Sequence, residues 1–168
     1  MFAMLVSSCN RDNFRMRRRS NKHAKFLKEL LAVSNHMIQD VEGIGPVRRE
    51  KFLAAGIKDT DGLLKSTKTP KQRKNLAEKT GISEKWILKF ANMADLYRVK
   101  GISSEYSQLL EASGVDTVVE LATRVPKNLH TKVSAVNKEK RSTRQPPSLA
   151  EITIWIEEAK TLPRVLEY

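Results

Sequence analysis

Residues 41–64 read VEGIGPVRREKFLAAGIKDTDGLL, and residues 99–122 read VKGISSEYSQLLEASGVDTVVELA, the same pattern displaced by 58 positions. Val41 falls on Val99, Gly43 on Gly101, Ile44 on Ile102, Phe52 on Leu110, Ala54 on Ala112, Gly56 on Gly114, Ile57 on Val115 and Leu63 on Leu121. Glycines and apolar positions recur while the intervening positions drift. That is the expectation for one backbone built twice, with the recurrent residues facing a core.

Working outward, each copy divides into short helices. Pro46 suits the first turn of a helix and Gly56 its C-terminal cap. Asp59 or Thr60, and Asp116 or Thr117, then cap a short helix, with Thr117 and Glu120 spaced as a capping box. Thr69-Pro70 and Val125-Pro126 start the next helix in each copy. Ser83 caps EKWILKFANMADL, where Trp86, Ile87, Phe90, Met93, Ala94 and Tyr97 fall on one side and are expected in the core. Ser148 and Glu151 form a capping box ahead of ITIWIEEAKTL, where Ile152, Trp155, Ile156 and Ala159 repeat that side. The polar stretch NKEKRSTRQPP (137–147) reads as a loop. KFLKELLAVSNHMIQD reads as the helix that precedes the first glycine turn. No strand pattern is present, and the fold class is all-α.

In Gly43-Ile44-Gly45, two glycines permit positive φ and a close backbone approach, and Ile44 is expected to point inward. The helix beginning at Pro46 offers free N–H groups and the positive end of its dipole, an arrangement that suits a phosphate oxygen. Two readings of the turn stand side by side: a main-chain phosphate clamp that reads no bases, and a tight corner that only packs two helices.

VEGIGPVRREKFLAAGI resembles the helix-hairpin-helix motif of DNA repair and recombination proteins. The run from about Ser34 to Tyr168 resembles, nearly end to end, a bacterial family designated domain of unknown function 4332. The likeness is carried by TPKQRKNLAEKTGISEKWIL, ANMADLYRVKGI, GVDTVVELATR, NLHTKVSAVN and WIEEAKTLPRVLEY. It implies tandem helix-hairpin-helix repeats packed as one helical domain and, through the broader motif, nucleic-acid binding at Gly43, Ile44, Gly45 and Val47, with Gly101 as their counterpart. Ser103 stands where the second glycine of the second turn belongs, so retention of a phosphate there is open. Arg48 and Arg49 replace an aromatic or small residue and either add phosphate contacts or are solvated surface charge. In glycosylases with this motif a catalytic lysine follows the second glycine, and here the position is Val47.

Charge supports the nucleic-acid reading only locally. The chain carries 31 Lys and Arg against 19 acids, a net +12, but the first 28 residues alone hold eight bases and one acid. Lys65, Lys68, Lys71, Arg73 and Lys74 cluster after the first turn, and Lys138, Lys140, Arg141 and Arg144 form a second group. No apolar run reaches membrane-spanning length, so no membrane partner is expected. The single Cys9 excludes an internal disulfide and iron-sulfur ligation. His23, His36 and His130 lack ligand spacing, and no nucleophile motif is present, so neither a metal, a cofactor nor enzymatic activity is expected.

At the start, MFAMLVSSC lacks the preceding positive charge of an export signal, and the arginines follow it. The Arg-rich, acid-poor segment also resembles an organelle transit sequence. A disordered basic extension or a start at Met16 are the alternatives. The resulting layout is a basic extension over 1–28 and two repeats over 29–98 and 99–168, in a cytoplasmic protein. Its expected function is sequence-independent binding of DNA, RNA remaining open, through Gly43, Ile44, Gly45, Val47, Arg48, Arg49, Lys68, Lys71, Arg73, Lys74, Gly101 and Ser103. The alternative is a protein-interaction or scaffold module that uses the fold as architecture.

Overall fold

The two sequence copies fold into two sets of four helices. The structure, a computed structural model, describes residues 35–168, and the basic extension expected over 1–28 lies outside them. The first copy contains α1 (Pro46–Ala54), α2 (Thr60–Thr67), α3 (Pro70–Thr80) and α4 (Glu84–Leu96). The second contains α5 (Ser104–Ala112), α6 (Val118–Ala122), α7 (Pro126–Lys140) and α8 (Leu149–Thr161). There is no strand among the described residues, and no helix there is long and apolar enough to cross a membrane.

Local signals set most boundaries. Pro46, Pro70 and Pro126 each open a helix, where the missing N–H costs nothing. Asp59 caps α2 by accepting from Gly62 N at 2.7 Å, and that bond holds its carboxyl below the ordinary value. Ser148 and Glu151 form the expected box. At the second counterpart the box is displaced by one residue. Thr117 accepts from Glu120 N, but the Glu120 carboxylate accepts from Asp116 N rather than from Thr117.

Three expectations are corrected. Residues 35–40 do not extend a helix: Met37 bridges Asp59, Ile38 N donates to Lys58 O at 2.9 Å, and only Ile38–Asp40 form a 3-10 turn. Pairing with the 58–60 turn wins because it satisfies these backbone groups, and Asn35 adds a side-chain bond to Asp59. The rest of that expected helix lies outside the described residues. The loop expected from 137 begins only after Lys140, because Asn137 is buried in α7 and its amide exchanges two hydrogen bonds with the Thr143 backbone. Trp86 leaves the core stripe and is 37% exposed. It follows the N-cap Ser83 by three residues, a first-turn position that Glu151 occupies in α8.

Two apolar clusters correspond to the two copies. Phe52, Leu63, Ile87 and Phe90 anchor the first, and Leu110, Leu121, Ile152 and Trp155 the second. α4 serves both, with Phe90, Met93 and Ala94 in one and Leu96 in the other. Two further ties join them. Leu166, near the chain end, is buried in the first cluster, and Glu167 N donates to Lys68 O at 2.8 Å. Asp95, 2% exposed, accepts from Arg98 at 2.7 Å and from Val118 N at 2.9 Å, while Arg98 also donates to Pro163 O. Beyond their own bond, the side chains of this buried pair therefore join the end of α4 to α6 and to the closing segment.

Candidate functional site

The two glycine turns share a backbone and differ in what they expose. Gly43 and Gly101 have φ +83° and +91°, a region that residues with a β-carbon rarely adopt. In each turn the space over the glycine is closed by an aromatic of the last helix: a β-carbon would lie 3.4 Å from Phe90 Cε1 at position 43 and 3.2 Å from Trp155 Nε1 at position 101. Ile44 and Ile102 are both buried beneath.

Gly45 departs from the expectation of positive φ. Its φ of −73° and ψ of 177° are nearly those of Ser103, −84° and 176°, and a β-carbon at Gly45 would meet nothing within 4 Å. The fold does not require glycine there. The helix start is uncapped, as is the one at Ser103: Gly45 provides no side-chain acceptor, and the N–H groups of Val47 and Arg48 have no acceptor among the described residues.

Around this start lies an open groove of about 450 Å³, bounded by the first turns of α1 and by the Gly81–Ser83 turn and Trp86 of α4. Its two cations are Arg48 and Lys51. Arg48 donates to Gly43 O at 2.7 Å and stands 4.3 Å from the Trp86 ring centre, while Lys51 reaches Gly81 O at 3.4 Å. Neither forms an ion pair with a carboxylate among the described residues, and no acid lines the groove. Val47 is 72% exposed beside them.

The remaining predicted residues divide. Arg49 is exposed on α1 with Glu50 3.8 Å away, outside the groove. Lys68, before α3, and Lys71 and Lys74, in its first half, are exposed, whereas the groove abuts its far end at Gly81, about 15 Å along the helix from Lys71 and about 10 Å from Lys74 at 1.5 Å per residue. Arg73 does not join them. It is buried, donates to Thr67 O at 3.0 Å and to Lys68 O at 3.4 Å, and so closes the C-terminus of α2.

Gly101 and Ser103 are exposed, but Glu105 occupies the first turn of α5 and Tyr106 replaces Arg48, packing on Trp155 at 5.2 Å between ring centres. Burial raises the Tyr106 hydroxyl pKa, and the charges of Glu151 and Glu105 raise it further. The second turn thus has Tyr106 and Leu109 where the first has Arg48 and Lys51, and an acid, Glu105, in place of Val47.

Lys51 and Trp86 were missed from the sequence. Lys51 lies three residues beyond Arg48, on the same face of α1, a spacing that was available. Trp86 was misassigned because its neighbour Ile87, not Trp86, continues the buried row Ile87, Phe90, Ala91, Ala94. The capping register, Ser83 against Ser148, carries the discriminating signal.

The class defined by this fold is an all-helical protein with two like turns, of which only the first carries the cations Arg48 and Lys51. The chain belongs to the family described as Domain of unknown function (DUF4332), whose model matches residues 42–162. No curated protein and no solved structure matches it.

Proposed function

We propose that the chain binds the sugar-phosphate backbone of nucleic acid, without enzymatic action and without reading bases, at the start of α1. The observation that carries this reading is the open helix start at Gly45: the backbone tolerates a side chain there, as Ser103 demonstrates, yet none is present, and two cations without acidic partners flank the gap. N–H groups at a helix start, the dipole and uncompensated positive charge act on an anion in the same direction. The likeness of the turn to the helix-hairpin-helix motif supports the same reading, with DNA as the expected polymer. Lys68, Lys71 and Lys74 lie too far away to share one phosphate with the groove and would meet other points of the backbone. The second turn, with Glu105 in its first helical turn, serves packing.

The test is fluorescence-anisotropy titration of random-sequence DNA across a salt series, with the full chain, residues 34–168, and a variant carrying Arg48→Gln and Lys51→Gln. The shorter chain should bind, with affinity falling steeply with salt. The double variant should flatten the slope of log K against log salt by about 1, since the two cations flank one phosphate and each neutralised phosphate contributes about 0.9. Binding by the full chain alone would assign it to the basic extension and overturn the reading.

A further inference from the structure

Trp86 is the feature that phosphate binding leaves unused. It is a large aromatic at the groove wall, 37% exposed, whereas Trp155, the other tryptophan, is 3% exposed. Its surroundings hold it as a fixed plate. Phe90 stacks against it with 5.5 Å between ring centres and an interplanar angle of 26°, and the Arg48 guanidinium lies 4.3 Å from its centre and 5.7 Å from that of Phe90. These three separations close a triangle with an acute angle at Trp86. Guanidinium and phenyl therefore gather around one part of the indole, and more than a third of the residue stays exposed. Lys89, 5.6 Å from the ring, is held by Glu111 at 3.1 Å, whereas Arg48 and Lys51 have only carbonyl partners.

We propose that this groove takes an unpaired nucleotide of a single strand, its base stacked on Trp86 and its phosphate beside Arg48 and Lys51. The inference rests on the backbone-binding reading above and narrows it from nucleic acid in general to single-stranded nucleic acid. In a duplex the faces of the bases are occupied by their neighbours, so an exposed indole gains nothing from it. In a single strand every base offers a face, and stacking tolerates any sequence. The groove volume of about 450 Å³ suits one nucleotide unit rather than a duplex edge. Its lining also matches the ligand: an aromatic plate, two cations and no acid, for an anionic polymer of flat rings.

The experiment titrates the full chain with oligothymidylate, oligouridylate and a duplex, each of about twelve units, reading anisotropy and tryptophan emission at one salt concentration. The variants are Trp86→Leu, which keeps apolar packing on Phe90 without a π face, Trp86→Phe, which restores one, and Gly45→Asp; thermal melts check folding. Single strands should bind more tightly than duplex and quench the emission. Trp86→Leu should abolish the quench and weaken single strands at least about fivefold, the lower bound for stacking of one base, with duplex unchanged. Trp86→Phe should recover most of that loss. The ratio of oligothymidylate to oligouridylate identifies the preferred sugar, and either preference supports stacking if Trp86→Leu removes it equally. Should Gly45→Asp lower binding while Trp86→Leu changes nothing, the phosphate site stands and the stacking proposal falls. If neither substitution has an effect, both fall.

Discussion

Replacing Gly45 by Asp should strengthen the fold and weaken binding, a combination that separates the phosphate site from architecture. Gly45 is the N-cap of α1 with extended backbone that any residue adopts, and a β-carbon there meets no atom within 4 Å. A carboxylate at the N-cap accepts from the second or third helical N–H, here Val47 or Arg48, both of which lack acceptors among the described residues. Asp over Gly at an N-cap is worth a few tenths of a kcal/mol, and a negative charge at the helix start adds about 0.3–1 kcal/mol. The sum, about 0.5–1.3 kcal/mol, corresponds to a rise in Tm of about 1–5 °C. The same carboxylate occupies the place of the phosphate and repels it. Loss of one charge-assisted hydrogen bond, about 1.5–3 kcal/mol, is about ten- to a hundredfold in affinity. The assay pairs calorimetric melts with anisotropy titrations over a salt series, where the slope should shrink by about 1. A variant that melts higher yet binds with unchanged affinity and slope would refute the anion site at α1.

Gly43→Ala should destabilise by about 1–2 kcal/mol through its positive φ, while Gly45→Ser, which reproduces the Ser103 backbone, should change the urea midpoint little. Removing one partner of the buried ion pair, by Asp95→Asn or Arg98→Met, should cost about 3–5 kcal/mol, and the double variant Asp95→Leu with Arg98→Met distinctly less than the two together, a non-additivity that a double-mutant cycle measures. Acid titration should show two opposite signs. The Asp59 carboxyl is lowered by its bond from Gly62 N, so its contribution is complete above the ordinary value of 3.8 and is lost as pH falls through the lowered one; Asp59→Asn should flatten that acid limb. The Asp116 carboxyl is raised by burial and then by Glu120 and Glu111, so its ionised form costs stability at neutral pH and the cost disappears as pH falls through the raised value. Asp116→Asn should therefore raise Tm at pH 7 and have no such effect at pH 3.

By itself the sequence determined the all-helical class, the repeat, the proline-opened helices and the buried rows, because these follow from local chemistry and helical period. Its turns were legible for the same reason: Gly43 and Gly101 answer to backbone sterics within a few residues. Only the tertiary structure decided which polar groups meet. The buried Asp95 finds Val118 N across the fold, Leu166 returns to the first core, and Arg73, read with its neighbours as part of a nucleic-acid-binding cluster, turns inward to close α2. The groove belongs to this second group. Lys51, Gly81 and Trp86 come from three segments whose approach is set by how α1, α3 and α4 pack, and no local pattern encodes that approach. The same packing distinguishes the two turns, which share nearly one backbone: Phe90 and Trp86 place a guanidinium over the first, and Trp155 places a tyrosine over the second.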